Sequence, residues 1–81
     1  MNRRSAEMVD AYVGGRLRLI RNAKCKSRAE LARKLNVSLR KFTAMENGAD
    51  RLSPENMWTL TQLFDIKASY FFEGMDGTST H

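Results

Sequence analysis

The residues of this 81-residue chain that could do chemistry are mostly cations and hydroxyls. Its one histidine, His81, is the last residue, and its one cysteine, Cys25, has no histidine near it in sequence. Paired carboxylates, metal-ligand spacing and a glycine-rich phosphate loop are all absent from the sequence. One cysteine also rules out an intramolecular disulfide and a zinc site built on several thiolates. The expectation is a chain without catalytic residues, cofactor or metal, and so not an enzyme.

A different chemistry is concentrated between Ser27 and Arg51. Arg28, Arg40 and Lys41 are cations that can hold a phosphate or face a base edge. A bidentate arginine on guanine is worth about 1–3 kcal/mol of discrimination. Leu39 is apolar where exposure is expected, so it packs either on a thymine methyl or on the preceding helix. Thr43 and Ala44 follow on the same surface, and Ala44 offers only apolar contact. Ser27, Ser38 and Asn47 can donate to phosphates as well as finish helix ends. Arg51, in a loop, is a further phosphate candidate. The competing explanation for the cations is a solvated basic face.

Composition agrees with a polyanionic partner without requiring one. The net charge is +5 and 42% of residues are hydrophobic. That suffices for one core but leaves no room for a separate sensor or catalytic domain. A chain this short buries only ~60% of its unfolded surface, so dimerisation would help it. No apolar run reaches the length of a membrane span, and Arg3 and Arg4 precede no apolar segment of a signal peptide. A cytoplasmic, nucleoid-associated protein with no membrane partner and no evident small-molecule ligand is expected.

These side chains must be positioned by helices. Strand alternation is poor, whereas Val9, Tyr12, Val13, Leu17 and Ile20 recur at three- and four-residue steps. They predict a first helix from near Ser5 to about Ala23. Gly14 and Gly15 either weaken it by up to ~1 kcal/mol each or mark an entry turn. Ser27-Arg28-Ala29-Glu30 is a capping box that opens a second helix ending at Leu35, with Asn36 in the left-handed turn. Ser38 caps a third helix running to about Asn47, with Gly48 beyond it. Ser53-Pro54-Glu55 starts a fourth, whose Met57, Leu60, Leu63 and Phe64 form one stripe. A short aromatic helix, Ala68–Phe72, follows. The second and third helices, joined by a three-residue turn, would bury Leu31, Leu35, Phe42 and Met45. Ala32 lies at their crossing and Val37 plugs the turn. The outer face of the third helix is then free to enter a major groove about 12 Å wide.

From Val13 to Met75 the chain resembles the phage-repressor and Cro-type (XRE) helix-turn-helix family. The segments VGGRLRLIR, SRAELARKLNVS, MENG and YFFEGM carry the likeness over about three-quarters of the sequence. The resemblance implies an all-α, compact four- to five-helix bundle of the lambda-repressor-like helix-turn-helix type. It implies sequence-specific binding to double-stranded DNA by a homodimer on a near-palindromic operator. It also implies that Arg21 and Glu46 form an ion pair tying the first helix to the third. This chain departs from the family pattern at Arg28, where many members have Gln, and at Asn36 and Cys25, where Gly is usual. Lys26 stands where an apolar residue is usual.

The expected organisation is an N-terminal arm or helix start at 1–8, a DNA-binding domain at 9–74 and a disordered tail at 75–81. Phe71 is assigned to the core. Trp58 and Tyr70 lie between core and dimer interface and are assigned to the interface. The expected function is a transcriptional regulator of the repressor kind with helix 39–47 in the major groove. The alternative is a protein-interaction module, such as an antitoxin, whose aromatic end binds a partner. Binding to DNA would weaken by ~10³-fold or more between 50 and 200 mM salt if about six phosphates are met.

Overall fold

The computed structural model describes residues 5–75. Expectations for an N-terminal arm and a C-terminal tail fall largely on residues 1–4 and 76–81, outside the described residues. The elements, in order, are α1 (Ala6–Ala23), α2 (Arg28–Lys34), α3 (Leu39–Glu46), α4 (Pro54–Phe64) and a terminal 3-10 helix (Ala68–Phe72). Among the described residues there is no β-strand.

Each α-helix starts where a serine can cap it. Ser5, Ser27, Ser38 and Ser53 accept from the backbone N–H of Met8, Glu30, Lys41 and Asn56. At α2 the capping box is complete, because Glu30 Oε1 accepts in return from the Ser27 N–H at 3.1 Å. Such caps are worth roughly 1 kcal/mol apiece. They matter in helices of seven and eight residues, which have little stability of their own.

The ends follow a common pattern. After α1, α2 and α3, a residue in the left-handed region turns the chain: Cys25 (φ 56°), Asn36 (φ 60°) and Gly48 (φ 78°). In each case two backbone N–H groups fold back, for example Cys25 to Asn22 and Lys26 to Arg21. This paired arrangement is the Schellman motif. Cys25 therefore occupies a position where glycine relieves the strain of a β-carbon, and the junction before α2 is built in the usual way despite it.

Leu17, Leu31, Phe42, Met45, Leu60 and Phe71 form the fully buried centre. They come from all five elements, so no element can leave without exposing the others. Val13, Ile20, Ala32, Leu35, Leu52 and Phe64 surround them, with Val37 and Tyr70 partly buried at the edge. Both glycines of α1 lie inside the helix and mark no entry turn. Gly14 marks the crossing of α1 and α3: a β-carbon there would collide with the backbone carbonyls of Met45 and Glu46. The stripe on α4 is narrower than its spacing suggests. Leu60 and Phe64 are buried, Met57 is partly buried and Leu63 is exposed. The buried pair, four residues apart, defines the inward face, and Leu63 falls beside it.

Candidate nucleic-acid interface

Two short helices, α2 and α3, pack together, and α3 also packs on α1. Phe42, Met45 and Glu46 point into the body and leave one face of α3 outside. On that face Leu39 is 52% exposed, with Arg40 and Lys41 exposed and Thr43 and Ala44 half-buried. Ser38 is exposed at the start of α3 and Asn47 at its end. The capping bond of Ser38 occupies one lone pair of its hydroxyl, leaving its O–H to donate outward.

The expected residues do not all belong to this face. Lys41 Nζ lies 2.9 Å from Asp50 Oδ2 in the loop after α3. Its hydrogen bond, ahead of its charge, holds the Asp50 carboxyl below the usual carboxylate range. Arg51 is turned toward α1, with Nε 3.2 Å from Asp10 Oδ1. Arg51 and Asp10 also line a groove of ≈ 370 Å³, otherwise lined by apolar side chains including Val9, Val13, Leu52 and Phe72. Ser27 is exposed at the start of α2, next to Arg28.

Glu46 organises the other end of α3. Its side chain is fully buried, and its Oε2 lies 2.5 Å from Arg21 Nε. The ion pair that the family resemblance implied is therefore present. Two further arginines share the same carboxylate. Arg28 Nε donates to Oε1 at 2.9 Å, and Arg18 Nε lies 3.8 Å from the same oxygen. Arg18 also donates to Asn47 Oδ1 at 2.8 Å. Sequence reasoning placed Arg28 on a ligand and overlooked Arg18. The available signal was spacing: Arg18 precedes Arg21 by three residues, so both share one face of α1.

The aromatic end divides. Phe71 is fully buried and Trp58 is 65% exposed. Tyr70 is half-buried, its hydroxyl donating to the Arg16 carbonyl at 3.2 Å. The Arg16 guanidinium sits 3.9 Å over the Tyr70 ring and its Nε donates to the Tyr70 carbonyl. Tyr70 thus fastens the terminal 3-10 helix to α1. The Tyr12 hydroxyl adds a second fastening by donating to the Glu73 carbonyl.

Among the described residues, no helix is long and apolar enough to cross a membrane. No group of three or more His, Cys, Asp or Glu is placed to hold a metal ion.

Two short helices joined by a tight turn of four residues, Leu35 to Ser38, one more than expected because α2 ends at Lys34, define the helix-turn-helix class, with the second helix showing a polar face. Residues 13–66 match the family model described as "Helix-turn-helix domain". The chain belongs to the helix-turn-helix family, a DNA-binding and non-enzymatic kind of domain. Similar proteins include an "uncharacterized HTH-type transcriptional regulator" of Sinorhizobium medicae, 26% identical over 94% of this chain and 55% of its own length. An "uncharacterized transcriptional regulator in ATPase CF(0) region" of Rhodospirillum rubrum is 30% identical over 90% of this chain and 68% of its own. A regulator of Sinorhizobium fredii is 32% identical over 90% and 51%. The chain spans about half to two-thirds of the length of these relatives.

Proposed function

We propose that this chain is a sequence-specific double-stranded-DNA-binding regulator of transcription, acting as a repressor. The observation that carries the proposal is the outer face of α3, where Leu39, Arg40 and Lys41 are exposed while Phe42, Met45 and Glu46 hold the helix to the body. An α-helix with side chains fits the width of the major groove. Arg40, Lys41, Leu39 and Thr43 face base edges, with Ala44 making apolar contact. Ser27, Ser38 and Asn47 meet phosphates, and Arg51 joins them only by leaving Asp10.

The exposed Trp58 ring supports a homodimer, since so large an apolar side chain loses unfavourable water contact when a second copy covers it. Two copies would read a near-palindromic operator, their third helices about 34 Å apart. A cytoplasmic, nucleoid-associated location follows from this function.

Selection from random duplexes, repeated at two salt concentrations, tests the proposal. The expected result is an enriched, near-palindromic sequence whose binding weakens steeply with salt. Absence of both enrichment and salt dependence refutes it. Repression follows if the enriched sequence, placed over a promoter, lowers transcription in the presence of the chain. The charge placement favours DNA over the antitoxin-like alternative, because Arg40 and Lys41 both sit on the outer face of α3.

A further inference from the structure

One carboxylate at the end of α3 faces three guanidinium groups. Glu46 is fully buried, and Arg21, Arg28 and Arg18 all approach its two oxygens. Arg21 is itself buried and has a second acceptor, the Lys26 carbonyl at 3.0 Å. It therefore belongs to the scaffold. Arg18 and Arg28 are different: each side chain is 45% exposed, and each turns its Nε toward the same Oε1. One negative charge cannot neutralise three positive ones, so two are left over, held close to one another around a single oxygen.

A guanidinium has five N–H donors in a fixed fork. Arg28 directs its Nε donor inward to Glu46, and Arg18 directs an Nη2 donor to Asn47. Arg18 also turns its Nε toward Glu46, and nearly half of each side chain remains exposed. Two half-exposed forks, oriented by a shared buried acceptor and carrying surplus charge, make a site for an anion with several oxygens. Phosphate has that chemistry, and arginine is suited to it.

We propose that Arg18 and Arg28 together bind one phosphate of the DNA backbone, with the Arg21–Glu46 pair holding both guanidiniums in position. The inference rests on the DNA-binding reading above. It assigns a role to Arg18 and settles Arg28 on phosphate instead of guanine. The reason is position: Glu46 is the last residue of α3, roughly 9 Å along the helix axis from Arg40. The pair sits where the protein meets the backbone beside the groove, away from the first turn that faces base edges.

Salt titration of duplex binding by the full chain tests this, using wild type, Arg18→Gln, Arg28→Gln and the double variant. All keep the Arg21–Glu46 pair, and thermal melting confirms folding. A shared phosphate predicts that each single variant weakens selected and scrambled duplexes by a similar factor. It also predicts that the double variant reduces the slope of log K against log salt by about 0.9, the value for one phosphate. The two single losses then sum to more than the double loss. The inference is overturned if Arg18→Gln leaves affinity and slope at wild-type values. It is likewise overturned if the double variant loses the equivalent of two phosphates, or if the loss is confined to one base sequence.

A wild-type chain that binds no duplex at any salt concentration would instead remove the functional reading itself, and this inference with it. Inorganic phosphate, compared with chloride at equal ionic strength, separates the two sources of the anion. If it raises the melting temperature of wild type but not of the double variant, while duplex binding is unaffected by either substitution, the site takes free phosphate and the DNA assignment fails.

Discussion

Arg21 Nε lies 2.5 Å from Glu46 Oε2, joining two buried side chains 25 positions apart. The contact locks the end of α3 to α1. The two partners are not equivalent, because Glu46 serves Arg18 and Arg28 as well. Glu46→Gln leaves a buried guanidinium without its counter-charge and is expected to cost about 3–5 kcal/mol of stability. Arg21→Met leaves Glu46 still paired with Arg28 and costs less. Urea denaturation followed by circular dichroism gives both values. The reverse order would mean that Arg28 does not compensate Glu46.

The adjacent glycines of α1 predict opposite effects. A β-carbon at Gly15 meets nothing, whereas one at Gly14 meets the carbonyls of Met45 and Glu46. Gly15→Ala should stabilise by about 0.5–1 kcal/mol through helix propensity. Gly14→Ala gains the same propensity but forces α1 and α3 apart, and should destabilise by about 1–3 kcal/mol net. Melting temperatures of the two variants decide the matter. Equal shifts would show that the crossing is not as close as described.

If Lys41 meets DNA as proposed, Asp50 competes for it. The carboxylate is held in its charged form by the Lys41 hydrogen bond, so at neutral pH the lysine is occupied. Asp50→Asn should tighten duplex binding by up to ~5-fold at low salt, the small gain expected from releasing a solvent-screened pair. The gain should shrink as salt is added. Anisotropy titrations measure it, and unchanged affinity at low salt would take Lys41 out of the DNA contact.

The capping box makes stability depend on pH. The hydrogen bond from the Ser27 backbone N–H lowers the Glu30 pKa most; burial opposes it as the next largest effect, and the charges of Lys26, Arg33 and Lys34 each lower it by less. A carboxyl whose folded pKa lies below its unfolded value stabilises the fold above the ordinary carboxylate range. That contribution fades as pH falls through the folded value. Wild type should therefore exceed Glu30→Gln in stability at neutral pH, and the difference should narrow in acid. A gap that stays constant with pH would show that the charge of Glu30 plays no part in capping.

Much of the fold was legible because its signals are local. Serine caps, the Pro54 start and the residues suited to left-handed turns each act within one turn of backbone. The predicted limits of the helices accordingly lie within a residue or two of those observed. Leu63 shows the limit of such reading: three- and four-residue spacing cannot say how wide a buried stripe is, since that depends on what packs against it. Tyr70 shows the same for aromatics. Its ring and hydroxyl are engaged by Arg16, 54 positions away.

The sequence alone determined that this chain forms short capped helices with a helix-turn-helix at its centre and cations at the start of α3. Helical periodicity and capping are local physics, and the family pattern marks the Arg21–Glu46 tie. Only the tertiary structure decided which cations are paired, and with what. Lys41 faces Asp50, Arg51 faces Asp10, and Arg18 and Arg28 share Glu46 with Arg21. Ion pairing falls off over a few ångströms, and those distances are set by how α1 crosses α2 and α3, not by separation along the chain.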